Sequence, residues 1–330
     1  MVSKPKVLCT RVLPGPAMDR LRTETELTLN EENRPLTPEE LLELVRGKDG
    51  ILTLLTENVT RTVLEAGRPT LKVVSNYAVG YNNIDVQAAT ELGILVCNTP
   101  GVLTEATADL AWALLMAIAR RVVEGDRFMR AGRFKGWEPG LLLGADVFGK
   151  TLGIVGLGRI GEAVARRARG FSMRILYYDA RRLEPDQEKI LGVTYVPLPQ
   201  LLSESDYISI HTPLTPETHH LIGEKELRMM KPTAYLINTS RGPVIDEAAL
   251  VRALRERWIA GAGLDVYENE PAMAPGLAEL ENVVLLPHLG SATRETRERM
   301  AHMAVDNLLA GVRGERPRYL VNPEVYSRHA

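Results

Sequence analysis

The chain has 330 residues, of which 45% are hydrophobic and 25% are charged, and its formal net charge is −2 at pH 7. This length and composition are typical of a soluble globular protein with room for two domains. The near-neutral charge excludes a general electrostatic attraction to nucleic acid or to anionic membranes, so neither is predicted as a partner.

Cysteine content and hydropathy bear on the cellular compartment and on membrane insertion. The two cysteines, Cys9 and Cys97, have no CxxC or metal-finger spacing. The sequence therefore predicts neither a disulfide framework nor a metal site, and it favours a reducing cytoplasm. The N-terminal segment lacks the apolar core of a signal peptide. The most apolar long stretch, residues 109–123, is too short and too charged at its flanks to span a bilayer.

The first part of the chain alternates strand-like and helix-like segments. Short apolar runs predict strands, and segments with helical spacing predict helices. Because helices of roughly ten residues separate the strands, right-handed crossovers and a parallel sheet are predicted. The predicted strands are 6–13, 50–55, 71–80 and 94–98, and the predicted helices are 16–24, 38–47, 60–67 and 86–93.

A second α/β series follows a long helix, broken once, that is predicted over residues 104–130. The next residues, 131–150, are rich in glycine without periodicity and predict a loop or an extended arm. The strands predicted after the arm are 151–156, 174–179, 207–214, 234–240, 261–266 and 283–287. The helices predicted there are 159–171, 198–205, 223–230, 246–258 and 297–314.

The last helix, 297–314, has no sheet partner once the second series is complete. We therefore expect it to return to the first series, which would make the first domain discontinuous. The predicted domains are residues 1–99 plus 291–330, and residues 100–290. The predicted fold class is α/β, with two doubly wound parallel sheets.

Three glycines stand between an apolar strand and a helix. Gly156, Gly158 and Gly161 form GxGxxG. The first permits a tight turn, the second lets the backbone approach a pyrophosphate, and the third lets helix and strand pack closely. With Asp179 at the end of the next strand, this arrangement predicts a dinucleotide site.

The residues after that strand bear on which dinucleotide binds. Asp179 would accept hydrogen bonds from the adenosine ribose and repel a 2′-phosphate, which favours NAD(H). Arg181 and Arg182 act in the opposite direction, because guanidinium groups can hold a 2′-phosphate, so the sequence also admits NADP(H). Arg159 and Ile160, inside the fingerprint, are expected to line the same site.

Three further motifs follow predicted strand ends, the edge at which open parallel sheets bind ligands. They carry Arg241, Glu270 and His288. Arginine can grip a carboxylate bidentately, histidine can move a proton, and glutamate can orient that histidine and stabilise its charged form. These three side chains are candidates for catalysis.

The other histidines carry weaker signals. His211 is expected at a strand end near the cofactor. His219 and His220 are expected to be solvated surface residues, and His302 is expected to have a packing or surface role.

The ordered motifs resemble the D-isomer-specific 2-hydroxyacid dehydrogenase family over essentially the whole chain, most closely its glyoxylate and hydroxypyruvate reductase branch. The resemblance lies in "NYAVGYNNID", "TEATADLAWALL", "HTPLTPETHHLI", "NTSRGPVIDEAAL", "GAGLDVYENEP" and "PHLGSAT". It implies a Rossmann NAD-binding domain inserted into a flavodoxin-like substrate-binding domain. It also implies NAD(P)H-dependent reduction of a small 2-oxoacid, such as glyoxylate or hydroxypyruvate, to glycolate or D-glycerate, with His288 as the proton donor. It further implies that Arg241, Glu270 and His288 form an Arg–Glu–His catalytic triad.

The resemblance assigns roles to further residues. The backbone N–H groups of Val79 and Gly80 match the family's carboxylate-binding loop, and Asp265 matches the partner of the nicotinamide carboxamide. Leu55 and Tyr77 are candidates for the pocket wall. Trp137 could close the pocket, from its own chain or from a neighbouring subunit, or serve only in interface or core packing. The remaining residues expected at the cofactor are Thr212, Pro213, Thr239, Ser240, Arg241, His288 and Gly290. Of the three catalytic candidates, Arg241 and His288 are also expected to contact the substrate.

Assembly and alternative activities complete the expectations. The family forms dimers through the region corresponding to residues 104–145, so a homodimer is expected. Phosphite dehydrogenase is disfavoured, because it carries a lysine where this chain has Val79. Phosphoglycerate dehydrogenase is an alternative in a short form, since no room is left for an appended regulatory domain. NAD-sensing corepressors use the same scaffold and triad, so a binding role is the alternative outside enzymes.

Overall fold

The structure is a computed structural model that describes residues 3–328. The chain forms two compact units. The first unit contains the residues up to Leu103 together with those from Ser291 onward, and the second unit is Thr104–Gly290. Each unit is built around its own parallel sheet.

Twelve strands and thirteen α-helices make up the described part of the chain. The strands are β1 (Lys6–Cys9), β2 (Glu26–Leu29), β3 (Gly50–Thr53), β4 (Val73–Asn76), β5 (Leu95–Cys97), β6 (Thr151–Val155), β7 (Arg174–Tyr178), β8 (Val193–Tyr195), β9 (Tyr207–Ile210), β10 (Tyr235–Asn238), β11 (Gly261–Leu264) and β12 (Val283–Leu285). The helices are α1 (Ala17–Glu24), α2 (Pro38–Leu44), α3 (Arg61–Ala66), α4 (Val86–Glu91), α5 (Thr104–Ala119), α6 (Val122–Arg130), α7 (Arg159–Ala168), α8 (Pro185–Leu191), α9 (Leu198–Glu204), α10 (Glu224–Met229), α11 (Glu247–Arg255), α12 (Arg294–Val312) and α13 (Val325–Arg328).

The sheet of the first unit has five parallel strands in the order β2-β1-β3-β4-β5, which is the flavodoxin-like order. Strands β3, β4 and β5 are buried along their whole length, as expected for a parallel sheet covered by helices on both sides. Val7 and Cys9 face a core shared with α1 and α12. Leu8, between them, faces the opposite core, which is shared with α2, α3 and α4.

The sheet of the second unit has seven parallel strands in the order β12-β11-β10-β9-β6-β7-β8. The chain starts in the middle at β6, proceeds to one edge, and then returns to β9 on the other side. This doubly wound order is that of a Rossmann fold with one additional strand, and the direction reverses between β6 and β9. Helices α5 and α7 pack on one face, and α9, α10 and α11 pack on the other. The predicted fold class is confirmed.

Two strands, β2 and β8, and two helices, α8 and α13, have no counterpart among the predicted elements. Strands β2 and β8 lie at the edge of their sheets, and helix α8 immediately precedes β8. Each strand is short and carries exposed or half-buried side chains. An edge strand buries less apolar surface than a central one, so its sequence lacks the continuous hydrophobic run that predicts a buried strand.

The predicted long helix is two helices, α5 and α6, as expected from a single break. Helix α5 buries Trp112, Leu114 and Leu115 in the core of the second unit. Helix α6 has no buried residue, and residues 131–150 contain neither helix nor strand. Several large apolar side chains are exposed over this region: Val122, Met129, Phe134, Trp137, Leu143 and Phe148.

Within residues 3–328, no helix is long and apolar enough to cross a membrane. Cys9 and Cys97 are both buried and free. Burial raises the pKa of each thiol to about 12, so both are neutral at physiological pH.

Candidate active site

The glycine fingerprint lies at the reversal point of the seven-stranded sheet. Gly156 directly follows β6 and has φ +93°, a conformation that favours glycine. A Cβ atom on Gly156 would lie 2.6 Å from the backbone nitrogen of Thr212, which follows β9. A Cβ on Gly161 would lie 2.3 Å from the carbonyl oxygen of Gly156, so the third glycine allows α7 to pack against the turn. Gly158 caps α7 and is exposed, with open space around its Cα.

Asp179 closes this loop from the neighbouring strand. Its Oδ2 accepts a hydrogen bond from the Leu157 N–H at 2.7 Å, and its Oδ1 accepts one from the Arg181 N–H at 3.0 Å. The carboxylate therefore stands beside the glycine turn, as the prediction required. A carboxylate offers about four acceptor positions, so ribose hydroxyl groups could still donate to it.

The two arginines after Asp179 have different surroundings. Arg182 donates from Nε and Nη2 to the Glu188 carboxylate at 2.9 and 3.1 Å, and its guanidinium lies 5.4 Å from the centre of the Tyr195 ring. Arg181 is exposed. Arg182 is thus already engaged by a carboxylate, which weakens the expectation that it holds a phosphate.

The strand ends beside the fingerprint carry the other expected cofactor residues. Thr212 and Pro213 follow β9, and Thr239 follows β10. The Thr239 hydroxyl is buried and has no hydrogen-bond partner among the described residues. His211, also after β9, lies with Nε2 2.8 Å from the Ser209 hydroxyl, and burial lowers its pKa to about 3, so its ring is neutral.

These residues fit a dinucleotide. The N–H groups in the first turn of α7 have no hydrogen-bond partner inside the helix, and those of Arg159 and Ile160 are among them. They lie next to the exposed Gly158, where a phosphate could approach. The buried hydroxyl of Thr239 lacks a partner that a bound cofactor could provide. The glycine turn, the Asp179 carboxylate and this hydroxyl lie along the carboxyl edge of one sheet.

Arg241 stands in a tightly held loop after β10. The Asn238 side chain accepts from the N–H and hydroxyl of Ser240 at 3.0 and 2.9 Å, and donates to the Arg241 carbonyl at 2.9 Å. Burial lowers the pKa of Arg241, and the nearby Glu270 carboxylate opposes that effect. The guanidinium nevertheless stays charged at physiological pH. A Cβ on Gly242 would lie 1.9 Å from the Tyr267 carbonyl carbon, so this glycine lets the Arg241 loop lie on the backbone that leads to Glu270.

Asp265 holds the loop that carries His288. It is fully buried, and its two oxygens accept from the N–H groups of Leu289 and Gly290 at 2.6 and 2.8 Å. Its carbonyl accepts from the His288 N–H at 2.9 Å. Burial raises the pKa of Asp265, and these hydrogen bonds oppose the rise. The structure thus gives Asp265 a positioning role that the sequence did not indicate.

His288 and Glu270 form a hydrogen-bonded pair. His288 Nδ1 lies 2.9 Å from Glu270 Oε2, with side-chain exposures of 31% and 36%. The other Glu270 oxygen accepts from the Tyr267 N–H at 3.1 Å. Burial raises the pKa of Glu270, but the hydrogen bonds and charges of His288, Tyr267 and Arg241 outweigh it and lower the pKa below its usual value. The pair combines an anionic carboxylate with an imidazole whose Nε2 has no partner in the described part of the chain.

Val79 and Gly80 lie in the first unit, in the loop after β4. Their carbonyl oxygens accept from the side-chain amides of Asn98 and Asn76, both at 2.8 Å. Within residues 3–328, neither N–H group donates to another residue. The side-chain amides thus fix the carbonyl groups of Val79 and Gly80, and the N–H groups of both residues remain available to donate. This arrangement suits a loop that binds an anion.

The candidates for the pocket, Leu55, Tyr77 and Trp137, differ in exposure, and Tyr77 is buried. Leu55 is half-buried in the loop after β3. The Glu57 side chain holds this loop by accepting a hydrogen bond from the Leu54 N–H at 3.1 Å. Trp137 is 84% exposed, so it is not packed against its own chain.

Reasoning from the sequence missed the residues that hold these loops. Asn238 ends β10 and is followed by Thr239 and Ser240, and an asparagine at a strand end followed by small polar residues is a turn signal that could have identified it. Asn76 and Asn98 had no such local signal. Asn76 bonds to Gly80, at the far end of the loop that follows it, and Asn98 bonds to Val79, 19 residues earlier in the sequence.

Known proteins resemble this chain over nearly its whole length. Residues 112–290 match the family model described as "D-isomer specific 2-hydroxyacid dehydrogenase, NAD binding domain". The chain is 57% identical over 324 residues to a glyoxylate reductase of Korarchaeum cryptofilum, and the match covers 98% of this chain and 97% of that protein.

Solved structures agree with these matches. A glyoxylate reductase from Paecilomyes thermophila is 37% identical, with a TM-score of 0.86 and coverage of 98% of this chain and 99% of that chain. An NADPH-dependent glyoxylate/hydroxypyruvate reductase from Sinorhizobium meliloti, solved with NADP and malonate, is 36% identical, with a TM-score of 0.85 and coverage of 97% of each chain. The glycine fingerprint, the two parallel sheets and these similarities over the full chain point to one group of NAD(P)-dependent oxidoreductases. The chain therefore belongs to the D-isomer specific 2-hydroxyacid dehydrogenase family.

Proposed function

We propose that this protein reduces small 2-oxoacids with NADH, taking glyoxylate to glycolate and hydroxypyruvate to D-glycerate. The observation that carries the proposal is the hydrogen bond of 2.9 Å between His288 and Glu270, at the sheet edge that also bears the glycine fingerprint. The relative from Korarchaeum cryptofilum, named glyoxylate reductase, supports the choice of substrates. The unit Thr104–Gly290 would be the dinucleotide-binding domain, and the other unit would be the substrate-binding domain.

The proposed proton donor is His288. Glu270 holds Nδ1, which orients the ring, leaves Nε2 available and stabilises the imidazolium form. The bound nicotinamide would supply the hydride to the carbonyl carbon. His288 would deliver the proton from Nε2 to the keto oxygen, so that the carbonyl becomes a hydroxyl group.

Each unit, taken by itself, carries hydrogen-bond donors that suit a carboxylate. In the second unit, the Arg241 guanidinium would hold the carboxylate and polarise the carbonyl, because a charged donor in partly buried surroundings interacts strongly with developing negative charge. In the first unit, the N–H groups of Val79 and Gly80 would donate to a carboxylate. Asn98 and Asn76 would fix that loop through its carbonyls.

The activity is tested by following NADH oxidation with glyoxylate, hydroxypyruvate and pyruvate. We expect turnover with the first two. If NADH binds but no 2-oxoacid is turned over, the proposal is wrong, and oxidation of phosphite or 3-phosphoglycerate with NAD⁺ then becomes the next measurement. Binding of NADH without any of these activities would favour an NAD-sensing role.

We expect Asp179→Ser to weaken the preference for NADH over NADPH. The carboxylate beside the glycine turn would repel a 2′-phosphate, and like charges placed together oppose binding strongly. The ratio of kcat/KM for NADH to that for NADPH should fall on the order of tenfold or more. The matched control is Asp186→Ser, an exposed carboxylate on α8, which should leave the ratio unchanged. A wild-type enzyme that prefers NADPH would contradict the assignment.

We also propose a cytoplasmic homodimer. The free buried cysteines suit a reducing compartment. Helix α6 and residues 131–150 expose several large apolar side chains close together in the sequence, which is unusual for the surface of a monomer. In a dimer with twofold symmetry, the same surface of each subunit can pack against the other. Trp137, 84% exposed in its own chain, would be covered by the neighbouring subunit.

Light scattering after size exclusion should give the mass of a dimer. Leu143→Glu should shift the equilibrium towards monomer, because it places a charge in an apolar interface. Ile190→Glu is the matched control, since Ile190 is 73% exposed and Leu143 is 69% exposed, but Ile190 lies on α8. A monomeric wild type, or equal effects of both changes, would overturn the proposed interface.

A further inference from the structure

Two histidines and one carboxylate form a cluster apart from the proposed catalytic residues. His219 and His220 lie in the loop between β9 and α10, and Glu268 follows β11. One potential ligand atom from each of the three side chains lies within 4.8 Å of the others. The two imidazole rings stack with their centres 4.1 Å apart, and His220 Nε2 lies 2.7 Å from Glu268 Oε1. The sequence predicted that both histidines are solvated surface residues, so their contact with a carboxylate is a result of tertiary structure.

The Glu268 carboxylate is held in place by a buried neighbour. Its Oε2 accepts from the Glu247 N–H at 3.1 Å, and the Glu268 N–H donates to Glu247 Oε2 at 2.6 Å. Glu247 is 4% exposed. This reciprocal pair fixes one oxygen of Glu268 and leaves the other directed at the histidines.

The cluster also joins two segments that lead to catalytic residues. The His220 N–H donates to the Pro243 carbonyl at 2.8 Å, two residues after Arg241. Glu268 lies two residues before Glu270. A cation bound by both histidines and Glu268 would therefore fasten these two segments together.

We propose that His219, His220 and Glu268 bind a divalent transition-metal ion such as Zn²⁺. Two imidazoles and a carboxylate are ligands that Zn²⁺ accepts, with water completing a tetrahedral set. Ni²⁺, Cu²⁺ and Co²⁺ accept the same ligand types, whereas Mg²⁺ and Ca²⁺ prefer oxygen ligands alone. The exposed His219 ring, without a hydrogen-bond partner in the described part of the chain, can turn to bring its nitrogen within bonding distance.

The test is a titration of the full chain with Co²⁺ alone, followed by Zn²⁺, in the absence of cofactor and substrate. Visible d–d absorption of Co²⁺ should appear and then disappear as Zn²⁺ displaces it. Calorimetry should give a single Zn²⁺ ion per chain, and Zn²⁺ should raise Tm because it binds the folded state. The readout is independent of the proposed reductase activity, so the two proposals can fail separately.

Variants locate the ion. His219→Ala changes an exposed side chain, and Glu268→Gln keeps a hydrogen-bond acceptor while removing the charge. Each should weaken Zn²⁺ binding on the order of tenfold or more, because each removes a ligand. His302→Ala on α12 is the control and should bind Zn²⁺ like the wild type.

Several outcomes would overturn the site. The first is that Co²⁺ gives no visible absorption and Zn²⁺ gives no heat in calorimetry. The second is that His219→Ala binds Zn²⁺ as tightly as the wild type. The third is that His288→Asn loses Zn²⁺ binding. The last result would place the ion at the His288–Glu270 pair instead.

Discussion

His288→Asn should lower kcat for glyoxylate reduction by roughly 10²- to 10⁴-fold, because general acid catalysis by a positioned side chain contributes about that much. Asparagine is the substitution that tests chemistry with the least disturbance of the backbone. His288 has φ +56°, and asparagine adopts the left-handed region more readily than most residues. Its side chain can also donate to Glu270, but it cannot deliver a proton as an imidazolium does.

Steady-state kinetics with saturating NADH would measure this effect, and NADH binding by fluorescence should stay close to the wild-type value. His302→Asn is the matched control, because His302 lies on α12 in the other unit and should leave kcat unchanged. A His288→Asn enzyme that keeps more than a tenth of the wild-type kcat would show that another group donates the proton.

Arg241→Lys should lower kcat/KM for glyoxylate by about 10²-fold. Lysine keeps the charge but loses the planar pair of donors that binds a carboxylate bidentately. The loop should keep its geometry, since the Asn238 side chain bonds the Ser240 and Arg241 backbone, although the bond from Arg241 Nη1 to the Ser240 carbonyl is removed with the guanidinium. Loss of carboxylate binding would raise KM, and loss of carbonyl polarisation would lower kcat.

The control for this change is Arg174→Lys, an exposed ion pair with Glu204 at the start of β7. Surface ion pairs contribute about 0–1 kcal/mol, so kinetics should be unaffected. A rise in KM alone would restrict Arg241 to binding. Unchanged kinetics would remove Arg241 from the proposed mechanism.

Each sheet was predictable from the sequence except for one of its two edge strands, β2 in the first sheet and β8 in the second. Central strands such as β3 and β9 are buried on both faces, and their apolar runs show this in the sequence. The edge strands β2 and β8 bury less, so their composition resembles that of loops. Several strands also end before the predicted boundary: β4 ends at Asn76 and β9 ends at Ile210. The residues beyond these ends, including Val79 and His211, form the loops that bear the candidate site.

The sequence by itself determined the fold class, the dinucleotide fingerprint and the three candidate catalytic residues. Those features are encoded locally, because glycine spacing at a strand–helix turn and residues at strand ends follow from neighbours in the chain. The tertiary structure alone decided what holds them. Asp265 fixes the His288 loop and Asn98 fixes the Val79 loop. Glu268 meets two histidines 48 and 49 residues away in the sequence. Which of these residues come into contact depends on which strands are neighbours in the sheet. The residues next to them in the sequence do not indicate this.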